Sequence, residues 1–322
     1  MTEPGTVLIT GPTRNLGRYT ARSMAGRPAG YRPDLLLVGR AGRDLTAVGE
    51  ETRALGARVH EIGCDLASLA DVRTAAATVR ELLAASAARP LRALVANAGT
   101  MSPDTRRASM DGYEMTFAVN YLAHAQLIGD LLGSFAAPAR VVLLGSNTYY
   151  ANFWRKLLSV PEAKWADPVE LARPATGEQP PGMAASGVAY SNAKLAILYY
   201  AHELQRRAGS GLNVSVFEPG WMPGTALGRG APKALQTISR ALGHIPGVST
   251  PQRSGPLLAA MALDDKWAHL RDGAFVLKTK PTEVQPIAHN PTREQRLWEA
   301  TADLLERAEA GMTKPPAEET GL

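Results

Sequence analysis

Tyr190 and Lys194 stand four residues apart in Ala-Tyr-Ser-Asn-Ala-Lys. On a helix that spacing turns a phenol and an ammonium to one face, where both can address a single ligand. The ammonium favours phenolate, so the phenol gives up or takes a proton near neutral pH at lower cost, as carbonyl reduction or alcohol oxidation requires. By itself a Tyr-x-x-x-Lys also describes a helix face with a snorkelling lysine, so the surrounding elements must decide.

Thr6-Val7-Leu8-Ile9-Thr10 reads as a short buried strand, followed by Gly11-Pro12-Thr13-Arg14-Asn15-Leu16-Gly17 and a helix over roughly 17–26. Strand, glycine turn and helix form a phosphate cradle, with backbone N–H groups and the helix dipole aimed at a pyrophosphate. Further apolar runs at Leu35 to Val38, Val59 to Ile62, Leu94 to Ala96, Val141 to Leu144 and Val214 to Phe217 alternate with helical patterns. That alternation predicts an α/β fold, a Rossmann-type doubly wound parallel sheet.

With these motifs in order, the sequence resembles the short-chain dehydrogenase/reductases. Their phosphate loop reads Thr-Gly-x-x-x-Gly-x-Gly and their catalytic group is Asn, Ser, Tyr and Lys. The resemblance spans roughly residues 5–225. It implies catalytic roles for Asn120, Ser146, Tyr190 and Lys194. Gly11, Thr13, Arg14, Asn15, Leu16 and Gly17 would then hold the pyrophosphate, Asp65 and Leu66 would meet the adenine, and Asn97, Ala98 and Gly99 would lie beside the cofactor. Pro219 and Gly220 would form the turn over the nicotinamide, Met222 would also touch the cofactor, Thr225 would lie near its carboxamide or pyrophosphate, and Tyr190 and Lys194 would touch its ribose side.

Two departures from the family pattern matter. Asn15 replaces the middle glycine of the phosphate loop, and asparagine is the non-glycine residue that best tolerates positive φ. Ser146 and Tyr190 enclose 43 residues where the family commonly leaves about a dozen. A long insertion there resembles the retinol-dehydrogenase-like and protochlorophyllide-reductase-like branches, whose wider pockets suit larger substrates.

Charge indicates the cofactor. The second strand ends at Gly39-Arg40, with glycine where an NAD enzyme carries a ribose-binding carboxylate. Arg40 and Arg14 offer two guanidinium groups to a 2′-phosphate, which favours NADP(H).

Composition restricts the alternatives. The net charge of +5 in 322 residues is dispersed, without a basic block, and gives little support to nucleic-acid binding. The single cysteine, Cys64, excludes an intramolecular disulfide framework and reads as a small buried hydrophobe. The six histidines show no metal-ligand spacing, and His124 reads as helix packing. No apolar run is long enough for a membrane span, and Met1 to Gly5 lacks the features of a signal peptide, so a cytoplasmic location is expected.

One domain over 1–312 is expected, with an insertion at 147–189, a helical lid at 226–250 and a disordered tail at 313–322. Tyr149, Tyr150, Phe153, Trp154 and Trp165 crowd the insertion of a chain with only 6% aromatic residues. They read either as a substrate wall, with Trp221 as a further wall residue, or as a plug that anchors the loop. Arg173 to Gly187 reads as an irregular connection, Gly273 to Leu277 as the last strand, and Thr292 to Glu309 as a final helix with a threonine cap.

The resemblance implies NADPH-dependent reduction of a ketone, or the reverse oxidation, on a hydrophobic small molecule. Ser146 would hold the carbonyl oxygen and Asn120 a water in a proton relay. Carbon–carbon double-bond reduction, epimerisation or dehydration, and NADP sensing without turnover stand as alternatives. Relatives commonly form homodimers or homotetramers through helices. The Ala- and Arg-rich composition is compatible with a high-GC bacterium, where such reductases often serve secondary metabolism.

Overall fold

β1 (Thr6–Thr10) is buried on both faces because its neighbours in the sheet and the helices above and below all bring apolar side chains to it. Val7 and Ile9 turn to one face and Leu8 to the other, each without solvent exposure, which is the pattern of a central parallel strand. In the computed structural model, residues 4–151, 161–179, 181–222 and 248–311 are described. Phe153, Trp154, Thr225 and nearly all of the expected lid and tail lie outside them.

Seven parallel strands and one antiparallel edge strand form a single sheet. β2 (Asp34–Gly39), β3 (Val59–Gly63), β4 (Leu91–Ala96), β5 (Phe135–Leu144), β6 (Leu212–Glu218), β7 (Ala274–Leu277) and β8 (Lys280–Pro281) take the order β3-β2-β1-β4-β5-β6-β7-β8. The chain reverses direction across the sheet between β1 and β4, the crevice where such folds bind ligands. Register makes that crevice level: Thr10 pairs with Val38, Ala96 with Leu143, and Leu144 with Phe217. The loops after these strands therefore open on one rim.

Helices α1 (Asn15–Ala25) and α2 (Arg43–Ala54) cover one face, and α3 (Leu69–Ala84) the other. On that second face α4 runs from Met115–Phe117 through a π-helical turn at Ala118–Leu122 into Ala123–Leu131. Beside it lies α5 (Met183–Arg207), while α6 (Pro251–Leu263) returns to α1 and α7 (Pro291–Glu309) lies across α5 and α3. Ser68 caps α3 by accepting from the Asp71 N–H, and Asn290 caps α7 by accepting from that of Arg293.

Three boundaries differ from the sequence reading. α5 begins at Met183, so the last five residues of the Arg173 to Gly187 run are helical; the alanines there favour helix over the irregular path that Pro and Gly suggested. The cap of α7 is Asn290, with Pro291 in the first turn, and not Thr292. A short β8 follows the strand expected to be last.

α7 closes the outer side of α4 and α5. Tyr121 Oη and Thr301 Oγ1 are 2.6 Å apart, Tyr113 Oη donates to the Leu304 carbonyl at 2.6 Å, and Trp298 stacks on Tyr200. Where α7 begins, the fold gathers His202, His289 and Glu294, which no sequence spacing announced. Glu294 is already engaged: one oxygen accepts from His202 Nδ1 and the Asn290 N–H, the other from Arg206.

Candidate active site

The phosphate loop takes its shape from close backbone approach. Gly11 (φ 64°) and Asn15 (φ 45°) both occupy the left-handed region, so asparagine serves here in the conformation that glycine usually supplies. Gly17, in the first turn of α1, has no room for a side chain: a Cβ there would lie 2.2 Å from the Gly11 carbonyl oxygen and 2.6 Å from Asn97 Nδ2. The end of α1 that faces the rim carries no side-chain cap and no acidic residue in its first turn. Its N–H groups and dipole are thus left to an anion, and the loop fits a dinucleotide pyrophosphate.

Asn97 braces this loop from β4, its amide donating to the Thr10 and Gly11 carbonyls at 3.0 and 3.1 Å. The adjoining Ala98 N–H donates to Thr10 Oγ1. Thr10 Oγ1 meets His124 Nε2 at 2.9 Å, and His124 Nδ1 reaches the Asn120 carbonyl at 3.1 Å. A carbonyl only accepts, so Nδ1 carries the proton and Thr10 donates to Nε2. Burial holds His124 down to about 4, and the neutral ring joins the phosphate loop to α4. The sequence suggested only packing for this residue.

Asn120 lies in the π-helical turn, a distortion frequent at functional sites. Its amide oxygen accepts from the Thr100 N–H at 2.7 Å and its nitrogen donates to the Thr100 carbonyl at 2.8 Å. Both amide groups grip the loop after Gly99, which leaves one N–H and one oxygen lone pair for a further partner.

At the end of β2, Arg40 is exposed. Arg14 pairs with Asp44 at 2.5 Å, both half exposed. The hydrogen bond from Arg14 holds the Asp44 carboxyl below its usual range, with Arg40 and Arg43 adding smaller attractions. Sequence reading missed Asp44, which places a carboxylate inside the arginine cluster; an exposed pair of this kind exchanges partners readily. Asp65 accepts from the Ala67 N–H and, with the buried Leu66, forms the turn after β3. Cys64 is buried and its thiol is pushed up to about 12 by burial, as suits an inert hydrophobe.

Tyr190 and Lys194 share a face of α5, with Nζ 5.5 Å from the phenol ring centre. Lys194 is 2% exposed and donates to the Leu144 carbonyl at 2.6 Å, which anchors the ammonium two residues before Ser146. Burial lowers it to about 8 against the opposing charge of Glu218. Sequence reading passed over Glu218 as the last residue of a strand. It is 6% exposed, and its two oxygens accept from the Asn147 and Gly220 N–H groups at 2.8 and 2.9 Å. An acidic residue ending an apolar strand, beside a Pro-Gly turn, was the signal available.

Pro219 and Gly220 form that turn, Gly220 at φ 82°. Met222 is half-buried against the α1 and α6 side, and Trp221 is 40% exposed.

Trp165 does not wall the reacting groups. Its ring meets Tyr199 edge-on at 4.8 Å, nine residues and about 13 Å along the helix from Tyr190. Pro161 lies against Gly187, Ser191 Oγ donates to the Pro161 carbonyl, and Ala163 N–H donates to that of Tyr149. These contacts lay residues 161–165 along α5, as the anchor reading expects. Trp165→Ala should lower stability by about 2 to 3 kcal/mol, below the cost of deleting a fully buried ring. Melting curves beside kinetics on one bulky and one small carbonyl compound check this; selective loss of the bulky substrate with unchanged melting would restore the wall.

A sequence profile of the short chain dehydrogenases matches residues 5–151. Mouse polyprenol dehydrogenase is 31% identical over 92% of this chain and 82% of its own length. The chain belongs to the short-chain dehydrogenase family. Human retinol dehydrogenase 13 is 28% identical over the whole chain and 89% of its own length. The structure of a short chain dehydrogenase from Burkholderia cenocepacia in complex with NADP superposes with TM-score 0.61, at 21% identity, over 85% of this chain and 95% of that one, and shares the fold. The protein is thus an NAD(P)-dependent oxidoreductase of the type that acts on CH–OH or C=O groups. Among the described residues, no helix is long and apolar enough to cross a membrane.

Proposed function

We propose that the protein reduces a carbonyl group on a hydrophobic small molecule, or oxidises the matching alcohol, with NADP(H). The observation that carries this is the buried ammonium of Lys194 beside the Tyr190 phenol, with Ser146 on the adjoining strand end. Polyprenol and retinol dehydrogenases are named for apolar isoprenoid alcohols, which supports a hydrophobic substrate.

When bound, the nicotinamide supplies or accepts the hydride. Ser146 holds the carbonyl oxygen as a hydrogen-bond donor. Tyr190 gives its proton to that oxygen as charge develops on it, and Lys194 favours the phenolate left behind. Asn120 acts through its grip on Thr100, keeping the loop after β4 in place. Gly11, Thr13, Asn15, Leu16 and Gly17 offer the loop for the pyrophosphate, while Arg14 and Arg40 take the 2′-phosphate once Arg14 exchanges Asp44 for it.

NADPH consumption with a panel of aryl ketones, alkyl ketones and all-trans-retinal, followed by product mass, tests the reading. An alcohol two mass units heavier than its carbonyl substrate supports it. No turnover on any of them, with NADPH still bound tightly, would reject carbonyl reduction of this substrate class and leave the double-bond, non-redox and sensing alternatives.

Arg40→Asp should move preference from NADPH toward NADH, since the new carboxylate repels the 2′-phosphate and accepts from the ribose hydroxyls. Loss of a charge-assisted contact costs about 1.5 to 3 kcal/mol, roughly ten- to hundredfold in affinity. An unchanged NADPH to NADH ratio, also after adding Arg14→Ala, would show that neither guanidinium reads the phosphate.

A further inference from the structure

Two imidazoles and a carboxylate meet where α7 starts, and the proposed chemistry uses none of them. One ligand atom from each of His202, His289 and Glu294 lies within 4.8 Å of the other two. His202 follows Lys194 by two turns of α5, about 12 Å along the helix, so the group stands apart from the reacting side chains. Glu294 has no solvent exposure and is held at both oxygens. Oε1 accepts from His202 Nδ1 at 2.9 Å and from the Asn290 N–H at 3.1 Å, and Oε2 accepts from Arg206 at 2.6 Å. The Arg206 charge is met in turn by Glu203, which accepts from its Nε at 3.0 Å. The buried His202 ring fills the space that a side chain at Gly273 would take: a Cβ there would lie 2.5 Å from His202 Cδ2. His289 is exposed, and its ring meets that of His202 edge-on at 5.2 Å. Its neighbours fix its place, since Tyr199 Oη donates to the Ile287 carbonyl, Ala288 is fully buried and Asn290 caps α7. Among the described residues, no hydrogen bond engages the His289 ring nitrogens.

Three such atoms match the ligand set of a zinc-type ion. With metal–ligand distances of about 2.0 to 2.2 Å, the ligand atoms of a tetrahedral site stand about 3.3 to 3.6 Å apart. The His202–Glu294 contact then opens by about half an ångström, and the exposed His289 closes the remaining distance. Two imidazoles and one carboxylate suit Zn²⁺, whereas Mg²⁺ and Ca²⁺ favour oxygen ligands alone. A carboxylate only accepts, so His202 Nδ1 carries a proton in the empty site. Binding breaks that N–H bond: the proton passes to solvent, and the lone pair it leaves bonds the metal. Glu294 keeps its contacts with the Asn290 N–H and Arg206, outer partners of the kind that orient a ligand. Solvent on the His289 side supplies the entry path and a water as fourth ligand.

We propose that His202, His289 and Glu294 form a binding site for a zinc-type divalent cation, which pins the start of α7 to α5. Two of the three ligands already touch, and their backbones belong to elements packed on each other. Burial holds the His202 imidazole below its usual range, so the ring is neutral near pH 7, the form that ligates metals.

The full chain, stripped with EDTA and dialysed, tests this with the metal alone. Calorimetry with Zn²⁺ should show one ion per chain, with a dissociation constant of about 10 μM or lower. The melting temperature should rise with Zn²⁺ concentration, because only the folded chain brings the three ligands together. Co²⁺ in the same site should give the visible absorption of a tetrahedral ion, and Mg²⁺ should neither bind nor shift melting. His289→Ala removes an exposed ring and leaves the buried contacts in place. It should weaken Zn²⁺ by more than the roughly ten- to hundredfold that loss of an outer partner costs, and melting should no longer respond to Zn²⁺. His202→Ala should do the same; if it does not fold, His289→Ala decides alone. The absence of a saturable ion, an equal response to Mg²⁺, or unchanged affinity in His289→Ala, which would place the ion on other histidines, overturns the proposal. None of these measurements uses the cofactor or a carbonyl compound, so their outcome is independent of the reading of Tyr190 and Lys194.

Discussion

Tyr190→Phe should cut turnover by about a hundred- to ten-thousandfold, the usual contribution of a positioned proton donor. The ring keeps its packing on α5, where the position is 9% exposed, so melting temperature and NADPH affinity should stay close to wild type. Single-turnover kinetics and a fluorescence titration of NADPH measure the two quantities separately. Lys194→Ala should behave differently. It removes a buried ammonium that the Leu144 carbonyl holds, and with it both the stabilised phenolate and the proposed ribose contact, so kcat and cofactor affinity fall together. Ordinary turnover in Tyr190→Phe would remove the phenol from the mechanism.

Gly17→Ala should weaken NADPH binding without touching the proton donor. A single added carbon would stand 2.2 Å from the Gly11 carbonyl oxygen and 2.6 Å from the Asn97 amide, closer than real contacts permit. Either α1 moves away from β4 or the bracing bonds from Asn97 to Thr10 and Gly11 break. Overpacking of this kind costs about 1 to 3 kcal/mol. If the phosphate loop absorbs it, affinity falls roughly ten- to hundredfold, while kcat at saturating NADPH changes little. Wild-type affinity in this variant would mean that the loop does not carry the pyrophosphate.

The strands and their order of use were legible because each is a short apolar run followed by its own turn, and parallel register then brings those turns to one rim. Asn15 could be read as a positive-φ residue because few side chains tolerate that conformation, and the structure places it there. Lys194 was legible from its spacing to Tyr190; its anchor on the Leu144 carbonyl was not, because backbone acceptors leave no mark on composition. Glu218 was passed over, and His124 was read only as helix packing, for a related reason. Each sits in an apolar stretch, and only the folded chain supplies the groups that give a buried polar side chain its purpose. Asp44 shows the converse: an acid in the first turn of a helix has a sufficient local explanation in the helix dipole, which concealed its pairing with Arg14. Trp165 was noticed through aromatic crowding, and crowding left a wall and an anchor equally open.

The way α7 lies on α4 and α5 bears on assembly. Dimers and tetramers were expected to form through helices; the outer strip of these two, with Tyr121 and Tyr200 and with Tyr113 just ahead of α4, is covered by Thr301, Leu304 and Trp298 of the same chain. A covalently tethered segment holds such a strip at an effective concentration that a separate subunit seldom reaches. The terminal helix therefore takes the place on this strip that a neighbouring helix would otherwise fill, so a contact between protomers through the strip requires α7 to move aside.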